Sequence, residues 1–228
     1  MVKGVTVVAP ARSVAKARRN LAGIVGNIQI IDMDLSDLAS VSNFAEWVKN
    51  QFQRIDFLIN NAGVMACPLN RVGPGWEAQL AINHLGHFAL TQALMPLLQR
   101  SPGVRVISLS STAHKLSAIR WDDMHFASSD YDKWVAYGQA KTANALFANA
   151  LSRRLRDSGG LSFAVHPGAI FTPLQRHLPQ AEQIVLGWLD ENGQPSEMAK
   201  NRFKTPAQGC STTLWAATTS LLDKLPGV

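Results

Sequence analysis

Cysteine is scarce in this chain, with only Cys67 and Cys210 among 228 residues. They lie far apart and form no Cys-x-x-Cys pair, so neither a disulfide framework nor a zinc site is indicated. Long apolar runs are missing too. None approaches the roughly 20 residues that span a bilayer, and Met1-Val2-Lys3-Gly4 does not open the apolar stretch of a signal peptide. These absences lead to the expectation of a cytoplasmic protein with no membrane span. Charged residues make up only 17% against 46% apolar, which suits a packed core and argues against disorder. The 22 Lys and Arg outnumber the 16 Asp and Glu. Apart from Arg12, Lys16, Arg18 and Arg19, and from Arg153, Arg154 and Arg156, these basic residues are scattered and no aromatic residues interleave with them. Nucleic-acid binding is therefore not expected.

What is present is an alternation of short β-branched runs with helix-periodic stretches, the pattern of a parallel sheet covered on both faces. Strands are expected at 5–8, 28–31, 57–60, 104–108 and 162–165, and helices at 13–22, 38–52, 75–99 and 137–156. Ser36-Asp37-Leu38 reads as a helix entry and Gly159-Gly160 as a helix stop. No linker, repeat or low-complexity tract divides the chain, so residues 1–228 are taken as one α/β domain of Rossmann type. The stretch 173–206 breaks the alternation. Its Ile184-Val185-Leu186-Gly187-Trp188-Leu189 gives it the character of a lid-like helical excursion, or of a helix packed on the domain.

Chemistry-bearing residues fall at the carboxyl ends of the expected strands, where open parallel sheets place ligands. Asn60-Asn61-Ala62-Gly63 follows one strand, Ser110-Ser111 another and His166-Pro167-Gly168 a third, while Tyr137 and Lys141 stand one helical turn apart. With Asn83-His84-Leu85-Gly86-His87-Phe88, Lys141-Thr142-Ala143-Asn144-Ala145-Leu146-Phe147 and Lys204-Thr205-Pro206-Ala207-Gln208-Gly209, these motifs resemble the short-chain dehydrogenase/reductase family. Within it they are similar to the retinol-dehydrogenase-like and WW-domain-oxidoreductase-like branch, and the resemblance covers essentially the whole chain.

That resemblance implies interconversion of an alcohol and a carbonyl by hydride transfer, on a hydrophobic substrate. It makes Tyr137 the general acid/base and Lys141 the cation that favours tyrosinate and bonds the nicotinamide ribose. Ser111, rather than Ser110, holds the reacting oxygen, and Asn83 supports a water-linked proton path. A free tyrosine titrates near about 10, so such help is needed near neutrality. Arg12 stands where relatives carry an arginine beside the adenosine ribose, which favours NADP(H) over NAD(H). The cofactor set implied is Arg12, Asp34, Leu35, Asn61, Ala62, Gly63, Tyr137, Lys141, Pro167, Gly168, Ile170 and Thr172. The helices at 75–99 and 137–156 correspond to those through which relatives form homo-oligomers. His84, His87, His114 and His166 make no His-Glu-x-x-His cluster, and no metal is expected.

Relatives begin with a strand and a Thr-Gly-x-x-x-Gly-x-Gly turn that lets a helix N-terminus approach the pyrophosphate. No such turn occurs here. The resemblance therefore implies a fold lacking its first strand-helix unit, which would lie between 5–8 and 57–60, and its last strand beyond Leu225-Pro226-Gly227-Val228. The expectation is a truncated piece of a full-length enzyme. The alternative is a non-catalytic pseudoenzyme or interaction protein that dimerises with a full-length homologue.

Overall fold

The computed structural model describes residues 4–224; the expectations placed on Met1-Val2-Lys3 and on Leu225-Pro226-Gly227-Val228 lie outside the described residues. The first elements are β1 (Thr6–Ala11), α1 (Val14–Leu21), β2 (Asn27–Asp32), α2 (Leu38–Gln51) and β3 (Phe57–Asn60). A hairpin of β4 (Arg71–Val72) and β5 (Trp76–Glu77) leads into α3 (Ala78–Leu80), a π-helical segment over Ala81–Leu85, and α4 (Gly86–Gln99). Then come β6 (Arg105–Leu109), a 3-10 turn over Thr112–Leu116, the long α5 (Lys133–Leu155) and β7 (Leu161–Val165). The chain closes with a 3-10 turn over Pro173–His177, α6 (Gln180–Val185), α7 (Glu197–Arg202), α8 (Pro206–Gly209) and α9 (Ser211–Thr218).

All the long strands run parallel, the arrangement usual where helices cover both faces of a sheet. β1 pairs with β2, and β3-β6-β7 form a second group with β6 in its centre. Among the described residues no strand joins β1 to β3. Val5 and Val7 on one side, and Phe57 and Ile59 on the other, are correspondingly exposed. One core still serves both groups. Met33, Leu35, Phe44, Leu94, Leu98, Val106 and Leu151 pack together, with Val8 and Ile31 from β1 and β2 and Leu58 from β3 against them.

Helix starts follow local capping. Asp37 accepts the Ala39 N–H at 2.9 Å to open α2, and Asp132 accepts from Trp134 and Val135 at 2.7 and 2.9 Å to open α5. The latter moves the helix start upstream of the expected 137, and Gly159, at φ 68°, stops the chain after it. The helix expected over 75–99 is corrected at its beginning. Gly75 has φ 103° and belongs to the hairpin turn, and the buried Glu77 carboxylate caps α3 by accepting from Gln79 and Leu80 at 2.9 and 2.7 Å. Among the described residues no helix is long and apolar enough to cross a membrane.

Candidate active site

Four chain segments converge at the carboxyl end of β6. The strand ends at Leu109, and the next two residues diverge in role. Ser110 Oγ donates to the Lys141 carbonyl at 2.9 Å and so ties the strand end to α5. Ser111 caps the 3-10 turn, accepting the Ala113 N–H at 3.2 Å, and its hydroxyl is hydrogen-bonded to the Tyr137 phenol. Gly138 makes that approach possible. A Cβ there would stand 2.7 Å from the Ala113 carbonyl oxygen, so only glycine lets α5 pack this closely on the turn that carries Ser111.

Tyr137 and Lys141 are each 5% exposed and lie on one face of α5, with the ammonium 5.4 Å from the phenol ring centroid. Burial raises the Tyr137 pKa to about 12, and the Ser111 hydrogen bond opposes the rise. Burial also lowers that of Lys141 to about 8. At neutral pH the phenol is therefore protonated, a proton donor facing a serine hydroxyl. Lys141 Nζ donates to the Leu109 carbonyl at 2.9 Å. An ammonium has three N–H groups, so the site has donors to spare.

Asn83 sits fully buried in the π-helical segment. Its side chain pairs with the backbone of Val64, accepting the N–H and donating to the carbonyl, both at 2.8 Å. This clamps the chain just after Asn61, Ala62 and Gly63. A Cβ on Gly63 would lie 2.9 Å from Asn83 Oδ1, and Lys141 Nζ is 4.0 Å from the same position. Asn83, Gly63 and Lys141 are thus brought together. The Asn83 carbonyl accepts from His87 Nδ1 and from Asn144 Nδ2, each at 3.1 Å.

Most of the other expected cofactor residues have local partners of their own. Arg12 is exposed at the end of β1 and has no recorded partner among the described residues. Asp34 Oδ1 accepts from the Ser36 N–H and hydroxyl at 2.8 and 2.7 Å, while the Leu35 side chain is part of the core. Pro167 and Gly168 follow β7; the Pro167 carbonyl accepts from Lys204 Nζ at 3.2 Å, and Gly168 has φ 96°. Ile170 bridges to Lys204, and Thr172 caps the next turn in a box with Gln175. The donor chemistry suits a nicotinamide nucleotide: a buried ammonium close to the Gly63 backbone and an exposed guanidinium at Arg12. Among the described residues there is no glycine-rich strand-to-helix turn.

An apolar wall, not anticipated residue by residue, closes over the phenol. Met65, Ala66 and Leu178 pack with Tyr137, with Leu174, Trp134 and Trp188 against them. Trp134 stands edge-on to both Tyr137 and Trp188, with centroids 6.4 Å apart in each case. Ala66 holds φ 49°, an uncommon conformation for a residue with a Cβ, directly in this wall. Trp134, one turn before Tyr137 on α5, was the available signal.

The sequence profile described as short chain dehydrogenase matches residues 1–183. The chain belongs to this family. It is 40% identical over 207 residues to "Probable oxidoreductase" of Streptomyces antibioticus, covering 90% of this chain and 67% of that protein. It is 34% identical over 230 residues to Retinol dehydrogenase 11 of Mus musculus, covering 99% and 69%. Among solved structures, the RhlG/NADP active-site complex of Pseudomonas aeruginosa matches with a TM-score of 0.63 at 27% identity, covering 95% of this chain and 83% of that one. The short chain dehydrogenase assignment, within its retinol-dehydrogenase-like branch, thus rests on the profile and on whole-chain relatives. The chain spans about two thirds of the length of the curated relatives it matches. The family's members are NAD(P)-dependent oxidoreductases, and the parallel sheet between helices is their Rossmann-type fold.

Proposed function

We propose that this chain carries an alcohol–carbonyl oxidoreductase site that works with NADP(H) on an apolar substrate. The observation that carries the reading is the Tyr137 phenol, hydrogen-bonded to Ser111 and backed by the buried ammonium of Lys141. A nicotinamide held by Lys141 and the Gly63 backbone would supply hydride chemistry for the reductive direction. Tyr137 gives its proton to the carbonyl oxygen, which becomes the hydroxyl, and Ser111 holds that oxygen by a hydrogen bond. Lys141 stabilises the tyrosinate left behind. Asn83 keeps Gly63 and Val64 in place beside the lysine and supports the proton path to it. The protonated phenol near neutrality suits the proton-donating step.

Arg12 supports the preference for NADP(H), since an exposed guanidinium without a protein partner suits a 2′-phosphate. Asp34, Leu35, Asn61, Ala62, Pro167, Gly168, Ile170 and Thr172 complete the proposed cofactor contacts. Residues 173–206 form the lid of the single domain, with Trp188, Leu178 and Leu174 as the substrate-facing wall. A cytoplasmic location belongs to this reading, on the support of two free thiols, Cys67 and Cys210.

Titration of the purified chain with NADPH and NADH, followed by turnover of apolar aldehydes and ketones, tests the proposal. NADPH-selective binding that weakens about 10-fold to 100-fold in Arg12→Ala is expected, as for loss of one charged hydrogen bond. Equal affinity for both cofactors in wild type and variant removes the preference. Absence of binding by the folded chain removes the enzyme reading itself.

A second reading is a non-catalytic partner that pairs through α4 and α5. A cavity of about 400 Å³ between these helices is lined by His84, Phe88, Leu146, Phe147 and Trp121, with Phe88 41% and Leu146 55% exposed. The same face would serve a homo-oligomer of the active enzyme. Light scattering of Leu146→Glu against wild type distinguishes a paired chain from a monomer.

A further inference from the structure

Asn144 lies three residues beyond Lys141 on α5 and is 2% exposed. Its side chain occupies a junction between three elements. Nδ2 donates to the Leu109 carbonyl at the end of β6 (3.0 Å) and to the Asn83 carbonyl in the π-helical segment (3.1 Å). Two carbonyl oxygens at one end of the amide require that end to be the NH2 group. The opposite end, Oδ1, lies 3.0 Å from His84 Nδ1, so that nitrogen carries the ring proton. Every polar atom of Asn144 is thus engaged.

The Leu109 carbonyl is the shared point. It accepts from Lys141 Nζ at 2.9 Å as well as from Asn144. The Asn83 carbonyl is shared in turn between Asn144 and His87 Nδ1. Asn83 itself belongs to a π-wound segment, in which Gly86 N–H bonds the Ala81 carbonyl five residues back. That winding departs from the regular ladder, and Asn144 gives the Asn83 carbonyl a donor from another helix.

We propose that Asn144 is a positioning residue of the hydride-transfer site, fixing with its two amide N–H groups the Leu109 carbonyl from which the Lys141 ammonium hangs and the Asn83 carbonyl beside it. This rests on the reading of Tyr137 and Lys141 given above. Asn144 touches neither substrate nor cofactor and acts through Lys141. It also connects the lysine to His84, one of the residues that line the apolar cavity between α4 and α5.

The titratable groups around Lys141 are Tyr137 on its own helix and His87 on α4, with His84 beyond Asn144 in the π-helical segment. β6 presents the Leu109 carbonyl. Removing the amide admits water to a site where burial alone depresses the ammonium. Its titration then moves back toward the ordinary lysine value.

The test is an NMR titration of the full chain labelled with 13C at the lysine ε carbons, with Lys141 assigned by loss of its signal in Lys141→Arg. Wild type is expected to titrate near 8. Asn144→Ala, and Asn144→Asp, which keeps the shape but cannot donate to either carbonyl, are expected to raise that midpoint by at least one pH unit. Turnover should fall at least 10-fold, and the alkaline limb of the pH–rate profile should move up with the lysine. If neither Asn144 variant folds, His84→Phe at the outer end reads a smaller shift of the same sign. A folded Asn144 variant, or His84→Phe in their absence, in which Lys141 still titrates at the wild-type midpoint overturns the proposal. The titration needs no turnover, so an inactive wild-type chain would sink the oxidoreductase reading while still deciding the role of Asn144.

Discussion

Glu182 Oε1 accepts the indole N–H of Trp134 at 3.2 Å, and its other oxygen is ion-paired with Lys133. One carboxylate on α6 therefore holds the first turn of α5, one turn before Tyr137. The Trp134 ring, fixed in this way, forms part of the wall around the phenol. Glu182→Ala is expected to loosen α6 against α5 without touching the reacting groups. Because both partners are about a quarter exposed, the pair contributes on the order of 0.2–1 kcal/mol. The substrate KM should rise about two- to fivefold at nearly constant kcat, with a red shift in tryptophan emission. A fall in kcat at constant KM would show instead that Trp134 affects Tyr137 directly.

The pH dependence of reduction follows from Lys141. Its pKa is lowered by burial to about 8, while that of Tyr137 is raised to about 12. Below pH 8 the phenol is protonated and the ammonium is charged, the combination that proton donation needs. Above pH 8 the positive charge is lost first. Reductive kcat/KM is therefore expected to hold from pH 6 to 7.5 and to fall roughly 10-fold per unit well above 8. Steady-state rates across that range check it. A profile flat to pH 10 would mean that the lysine charge does not support the step.

His87 makes a separate prediction about stability. It is 5% exposed, and burial, with smaller contributions from the charges of Lys141 and His84, holds its pKa at about 4 against the hydrogen bond to Asn83. Between pH 6.5 and 4 an unfolded chain takes up a proton at this position that the folded chain does not. The unfolded state binds more protons there, so unfolding becomes easier as pH falls through that window. The loss is on the order of 3 kcal/mol. Urea unfolding at pH 7 and 4.5 should show a smaller drop for His87→Gln than for wild type. An equally steep drop in the variant would assign the acid sensitivity to other groups.

Much of this architecture was legible because parallel strands declare themselves through β-branched residues and the site residues fall at their ends. Strand β3 was placed at its observed bounds as a short apolar run ending at Asn60. The start of the helical stretch expected over 75–99 was not, because the hairpin before it has only two residues per strand and Trp76 reads as part of an amphipathic pattern. Its real boundary depends on the Glu77 cap and on Gly75 at positive φ. The π-winding at Asn83 was also hidden. It coincides with a side-chain pair to Val64, nineteen residues upstream, that no local pattern encodes. Ser111 and Ser110 could be ordered by motif, yet what separates them physically is that Ser110 is occupied by the Lys141 carbonyl. The apolar run around Trp188 announced an unusual excursion, while its contact with Tyr137 emerged only from tertiary packing.

The distance between Ser111 and Tyr137 depends on a residue with no side chain. At Gly138 an added Cβ would lie 2.7 Å from the Ala113 carbonyl, 3.1 Å from Leu116 Cβ and 3.2 Å from the Ser117 nitrogen. All three belong to the turn that Ser111 caps or to its exit, and two of them are backbone atoms that cannot rotate away. In Gly138→Ala, therefore, α5 or the turn must move outward by several tenths of an ångström. Overpacking of this kind typically destabilises by about 1–3 kcal/mol. The displacement falls directly on the serine–tyrosine hydrogen bond, so turnover should drop well beyond what the stability loss explains. Arg12, on a different element from α5, is not displaced by this change, so NADPH affinity should fall less than turnover. Thermal melting, NADPH titration and single-turnover reduction on the same preparation separate these effects. Wild-type turnover in the Gly138→Ala variant would show that the packing of α5 on the turn does not set the serine–tyrosine geometry.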